Sequence, residues 1–186
     1  MVKNLIVLIA AVMLVASPAV AEKVGGVNLD ETLQAGKDNL VLNGAGIRKK
    51  AFLKIYVGGL YLKEKNKSSE SIINADEPMA IRLCMVSGMI TPKKMLSATE
   101  EGFQNATNGN TAPIQNEINA FNKCFDKIEK KDVFDIVYVP AQGVTVSRNG
   151  KPQGTIKGLE FKKALFGIWL CDKPADKKLK NGMLGI

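Results

Sequence analysis

From Lys23 onward the apolar and polar positions change period several times, and each change marks an element. The segments "KVGGVNL", "NLVLNGAGIR" and "AFLKIYVGGLYLKE" are rich in β-branched and aromatic residues and read as strands. Gly58-Gly59 inside the third is costly there and predicts either a bulge or the close approach of another group. "SSESIINAD" predicts a short helix started by Ser68 or Ser69, and "MAIRLCMVS" returns to strand. Thr91-Pro92 then supplies an N-cap and a first-turn proline, after which Met95, Ala98, Thr99, Gly102 and Phe103 mark one helical face. "NATNGNT" reads as a loop, and Ile114, Ile118, Phe121 and Phe125 follow at helical spacing. Strands resume with "DVFDIVYVP", "GVTVSRNG" and "KPQGTIKG", where Asn149-Gly150 is a type I′ hairpin signal. Phe161, Ala164, Leu165, Ile168 and Trp169 define another helix, and "DKPADKKLKNGMLGI" a short last one stopped near Gly182. Strands, helices, strands and helices in that order predict an α+β fold, with helices layered on one face of a mostly antiparallel sheet.

Residues 1–21 carry a different pattern. Lys3 precedes an apolar run from Leu5 to Val15, too short to span a bilayer comfortably, and Ala19-Val20-Ala21 supplies small residues before Glu22. This reads as a signal peptide cleaved near Ala21, followed by one domain over 22–186. The expected location is the periplasm or the medium. Losing the signal removes one lysine and no acid, so the net charge of +8 becomes +7. The lysines are scattered among acids and turns with no arginine-rich or aromatic-interleaved patch, so no nucleic-acid partner is expected. Contact with a membrane surface is compatible with the charge but no pattern supports it, and the oligomeric state is left open. There is no histidine, which excludes a Ser-His-Asp triad, a Cys-His pair and a histidine metal site. Neither a metal nor a cofactor is expected. Cys84, Cys124 and Cys171 are an odd, widely spaced set, so at most one pair forms and burial as small apolar residues is the expected fate of the rest.

Arg48 is the first candidate for chemistry. It stands between the glycines of "LNGAGIR" and a long apolar run. If its strand runs regularly to Leu62, a period of two puts Arg48, Phe52, Lys54 and Tyr56 on one face, and Ala51, Leu53, Ile55, Val57 and Tyr61 on the more apolar other one. Arg48 and Tyr56 then line one cleft, where the planar guanidinium suits a carboxylate and a phenol hydroxyl adds a hydrogen bond. On pattern alone a surface arginine beside Lys49-Lys50, paired with some acid, is the simpler account. Lys94 and Glu101 share a helical face at i, i+7, and Lys162-Lys163 interrupt the apolar face of the last long helix; for both pairs a solvated polar stripe is the simpler account. "GAG" at 44–46 precedes a strand and is no phosphate loop.

"LNGAGIRKKAFLKIYVGGLYL" and "ALFGIWLCDKPADKKLKNGMLG" together resemble the bacterial chalcone isomerase-like family, over essentially the whole chain after the signal. The resemblance implies an open-faced β-sandwich, a large antiparallel sheet covered by a layer of helices. It implies two kinds of function. Plant members cyclise chalcones without a cofactor; others lack that activity and bind fatty acids, an arginine holding the carboxylate. That arginine falls on Arg48. The enzyme's strand threonine falls on Tyr56, its helix tyrosine and asparagine on Lys94 and Glu101, and its last-helix Ser/Thr on about Lys162. Only the arginine is kept, and charged groups stand where neutral donors would polarise a ketone. The reading reached is therefore a binder of a small amphipathic acid, a fatty acid foremost, with Arg48 as anchor and the tail between sheet and helices against residues such as Phe103. A cofactor-independent intramolecular lyase and a structural or interaction protein with a closed cleft are the alternatives.

Overall fold

The computed structural model describes residues 22–186; the segment read as a signal peptide lies outside the described residues. A small hairpin, β1 (Glu22–Val24) with β2 (Val27–Leu29), leads into a seven-stranded sheet. Its strands are β3 (Thr32–Ala35), β4 (Asp38–Lys50), β5 (Leu53–Leu62), β6 (Met79–Met85), β7 (Val133–Val139), β8 (Gly143–Arg148) and β9 (Lys151–Ile156). They lie side by side in chain order, every pair antiparallel. The helices are α1 (Ser69–Asn74), α2 (Pro92–Ala106), α3 (Gln115–Asn122), α4 (Leu159–Leu170) and α5 (Lys177–Leu184). Among the described residues no helix is long and apolar enough to cross a membrane.

Local chemistry accounts for most boundaries. Ser68 caps α1 and Thr91 caps α2, each accepting from a backbone N–H three residues on, and Pro92 opens α2. Asn149 and Gly150 both have positive φ, 51° and 76°, as a type I′ turn requires. Several boundaries differ from expectation; "KVGGVNL" is not one strand but the β1–β2 hairpin turned at Gly25-Gly26 (φ +61° and +92°), and β3 has no counterpart among the expected elements. The run through Arg48 to Leu62 is two strands, because a two-residue turn at Ala51-Phe52 reverses the chain, Ala51 taking φ +52° without the Gly or Asn that signals such turns. The last helix stops at Gly185 (φ +66°), not near Gly182, which sits inside α5. A Cβ on Gly182 would come within 2.4 Å of the Ala45 carbonyl oxygen, and one on Gly44 within 2.3 Å of the Gly182 oxygen. Gly46 lies against Leu179, and Gly58 against Leu179 and Met183. Gly44, Gly46 and Gly58 thus form the seat on which α5 lies, so the close-approach alternative holds at Gly58, while Gly59 faces Leu29, Leu42 and Tyr61 on the other side of the sheet.

The sheet buries both faces. Tyr56, Leu60, Leu83, Phe134 and Ile136 meet Phe103, Phe121, Phe161, Leu165 and Trp169 from the helices in the larger core. On the opposite face Val57, Tyr61, Ala80 and Cys84 pack with Leu29, Leu33, Leu40 and Leu42 under the N-terminal strands. The expectation that one face of Arg48's strand would hold the core is corrected: Tyr56 belongs to the larger core, Val57 and Tyr61 to the smaller, and Ala51 and Phe52 are exposed. The three cysteines are free, Cys84 and Cys124 buried and Cys171 half-buried.

Candidate functional site

The turn at Ala51-Phe52 folds β4 back on β5 and sets Arg48 directly across from Tyr56, with a register shift just after Arg48. The two side chains meet because they are cross-strand partners, not strand neighbours two apart. The guanidinium carbon sits 5.7 Å from the centre of the Tyr56 ring, within the range of a cation–π contact. Arg48 Nη1 reaches the Tyr56 hydroxyl at 3.4 Å, a long hydrogen bond. The same oxygen accepts from Trp169 Nε1 on α4 at 2.8 Å. Trp169 and Tyr56 are both buried, so this pairing satisfies the indole N–H and fixes the phenol behind the arginine. Among the described residues Arg48 has no carboxylate within ion-pair distance.

In front of Arg48 is a cavity of about 550 Å³ between the end of the β4–β5 hairpin and the N-terminal half of α2. The hairpin contributes Arg48, Lys50, Leu53 and Ile55; the connection from β6 contributes Met89, Ile90 and Thr91; α2 contributes Lys93, Lys94, Ser97, Ala98 and Glu101. Its wall therefore carries four cations against one carboxylate, beside the apolar surface of Leu53, Ile55, Ile90 and Ala98. Such a wall attracts an anion and offers a place for an apolar tail. Lys94 Nζ donates to the Met89 carbonyl at 2.9 Å, which ties α2 to the loop at the cavity's edge.

Three of the five residues singled out from the sequence, Arg48, Lys94 and Glu101, share this wall. Tyr56 is 1% exposed and stands behind Arg48, off the wall. Lys162 belongs elsewhere: it is 0% exposed, and its ammonium donates to the carbonyls of Ile72, Ile73 and Ala75 at 3.0, 2.9 and 2.6 Å. It caps the C-terminal end of α1, where unpaired carbonyls favour a cation. Burial pushes Lys162 down to about 8, with Asp76 pulling the other way. Its neighbour Lys163 pairs with Glu160 on the same helix. Phe103 is also displaced from its expected role, being packed in the core against the rings of Phe121 and Phe161. The contribution of Trp169 went unseen in the sequence, where it read simply as core. A buried indole needs an acceptor, and that requirement was the available signal.

A family model described as chalcone isomerase-like matches residues 21–185. The chain belongs to the chalcone isomerase-like family. No curated protein matches its sequence. Among solved structures, a fatty-acid binding protein of Arabidopsis thaliana (AtFAP1) superposes with a TM-score of 0.69 at 20% identity, covering 86% of this chain and 92% of that one. At that identity the likeness is one of fold. It agrees with the curled antiparallel sheet and helical layer of this chalcone isomerase-like protein, whose Arg48, Lys94 and Glu101 lie on one cavity and whose Lys162 does not.

Proposed function

We propose that this protein binds a small amphipathic carboxylate, foremost a fatty acid, in the cavity between the β4–β5 hairpin and α2. The observation that carries the proposal is the state of Arg48, a cation on the wall of an open, partly apolar cavity with no acid paired to it among the described residues. The carboxylate takes the guanidinium's free N–H donors as a charge-assisted pair. The tail lies along Leu53, Ile55, Ile90 and Ala98. Tyr56 and Trp169 act as positioning residues, holding the guanidinium from behind. The fold shared with a fatty-acid binding protein of Arabidopsis thaliana supports the ligand class. Lys50, Lys93 and Lys94 supply further positive charge at the wall, and the export-signal pattern of residues 1–21 supports a periplasmic or secreted setting.

The alternatives are weaker on these observations. A closed cleft does not agree with a cavity of about 550 Å³. A lyase that polarises a ketone needs neutral donors, whereas Lys94 is engaged with the Met89 carbonyl. The deciding experiment is native mass spectrometry of the chain from Glu22 onward, wild type beside Arg48→Ala, with organic extraction and with added palmitate. A fatty-acid-sized adduct in the wild type that falls about tenfold or more in the variant is the expected result, the loss of a charge-assisted pair being worth that much. An adduct unchanged in Arg48→Ala removes the arginine anchor. No adduct in either protein defeats the binding reading and turns attention to enone substrates.

A further inference from the structure

Four large apolar side chains are prominently exposed among the described residues: Phe52, Met89, Leu96 and Ile186. Two of them stand at the cavity: Met89 lines it, and Phe52 sits at the hairpin turn between the lining residues Lys50 and Leu53, whereas Leu96 lies on a different face of α2 from the lining residues. Phe52 is 90% exposed, an unusual position for an aromatic ring, at the tip of the protruding hairpin.

The charge around these residues is mostly positive. From Leu42 to Leu62 the hairpin carries Arg48, Lys49, Lys50 and Lys54 and no acid, and from Val86 to Ala98 the chain carries Lys93 and Lys94 and no acid. Acids come near at Glu100 and Glu101 on α2 and at Asp176, whose carboxylate accepts from the Lys49 backbone N–H at 3.1 Å. Lys49 and Lys54 are direct cross-strand partners, a like-charge pairing that works against the hairpin. Among the described residues, none of Lys49, Lys50, Lys54, Lys93 and Lys94 forms an ion pair. An aromatic tip and a flanking methionine inside a collar of lysines match the chemistry of a bilayer interface, apolar below and anionic at the surface.

We infer that this end of the molecule docks on an anionic lipid bilayer, Phe52 and Met89 entering the interface while the lysines meet the headgroups, so that the cavity opens toward the membrane. The inference rests on the binding reading for its purpose: a fatty acid can pass between bilayer and cavity without crossing bulk water. Its charge complementarity selects anionic lipid over a neutral surface. The lysines give long-range attraction that salt weakens, and Phe52 gives short-range attraction that salt does not.

The test is co-sedimentation of the chain from Glu22 onward with vesicles of phosphatidylethanolamine and phosphatidylglycerol, against vesicles of phosphatidylcholine alone. Binding to the anionic vesicles, falling as salt is raised and at least about tenfold weaker for Phe52→Ser, is expected from the charge attraction and from the apolar area of Phe52 removed from water. Lys49→Glu/Lys54→Glu should weaken it comparably. None of Phe52, Lys49 and Lys54 lines the cavity, so palmitate affinity measured without vesicles should stay at the wild-type value in both variants. Equal binding to both vesicle types, no binding at low salt, or wild-type binding by both variants would overturn docking. So would a dimer in light scattering that Phe52→Ser dissolves, since the patch would then be a contact between two copies. Docking retained by an Arg48→Ala protein that has lost palmitate supports docking and keeps the two proposals separate.

Discussion

Arg48 and Arg82 stand on opposite faces of one sheet, each with its guanidinium near a tyrosine ring of β5, and they have opposite fates. Arg82 lies 5.9 Å from the ring of Tyr61, almost the distance of Arg48 from Tyr56. Around Arg82 all three nitrogens are engaged by carboxylates: Nε and Nη2 bind Asp135 at 2.7 and 3.1 Å, and Nη1 binds Asp30 at 2.6 Å. This clasp joins β6, β7 and the segment before β3, and Tyr61 adds a bond to the Asp30 carbonyl at 3.0 Å. Arg48 has the same kind of ring behind it and, among the described residues, a single long hydrogen bond. Lys162 makes a third case, a buried cation held by three backbone carbonyls and the rings of Tyr138 and Phe166. What separates a structural cation from a candidate for function is therefore the inventory of its partners, not its burial or its neighbours' type.

The comparison can be broken in four ways. The largest effect should come from Asp135→Ala, which leaves a largely buried Arg82 with only the exposed Asp30. A loss of about 3 kcal/mol in denaturant unfolding is expected, and a loss below about 1 kcal/mol would mean that the clasp is not structural. Tyr56→Phe comes next. It strands the buried Trp169 N–H and frees Arg48, costing about 1–2 kcal/mol and weakening palmitate retention together. A stability loss with retention intact would deny Tyr56 its positioning role.

Lys162 yields a pH signature. Its folded value, about 8, is below the ordinary 10.5, so between those values the unfolded chain holds a proton that the folded chain has released. Its contribution to stability therefore rises with pH across that window and is least below it. Buried Tyr61 and Tyr138, both pushed up to about 12, act in the opposite direction above their ordinary value of 10.0. Unfolding curves of wild type and Lys162→Met between pH 8 and 10 should differ in slope, the variant lacking the rise; parallel curves would show that Lys162 does not titrate there. The smallest effect on stability is expected from Arg48→Met, within about 0.5 kcal/mol, because no ion pair is broken. A larger cost would place Arg48 with Arg82 among the structural cations.

Much of the fold was legible along the chain. Thr91-Pro92, Ser68 and Asn149-Gly150 set boundaries through bonds that each residue makes with its own neighbourhood. The helical faces of α2 and α4 were visible because burial selects apolar residues every third or fourth position. The site was legible only in part. Arg48 and α2 could be named, but the Ala51-Phe52 reversal carries no turn residue. The pairing of Arg48 with Tyr56 therefore emerged by an incorrect route, parity along a single strand.

The order of elements, the caps, the absence of histidine and the choice of Arg48 follow from the sequence alone, since propensity, periodicity and side-chain chemistry are local properties. Partnership was decided by the tertiary structure. It sent Asp135 and Asp30 to Arg82, three carbonyls to Lys162, the indole of Trp169 to Tyr56, and no acid to Arg48. Those contacts join residues up to 113 positions apart, and a charge acquires its role only from what lies within a few ångströms of it in space.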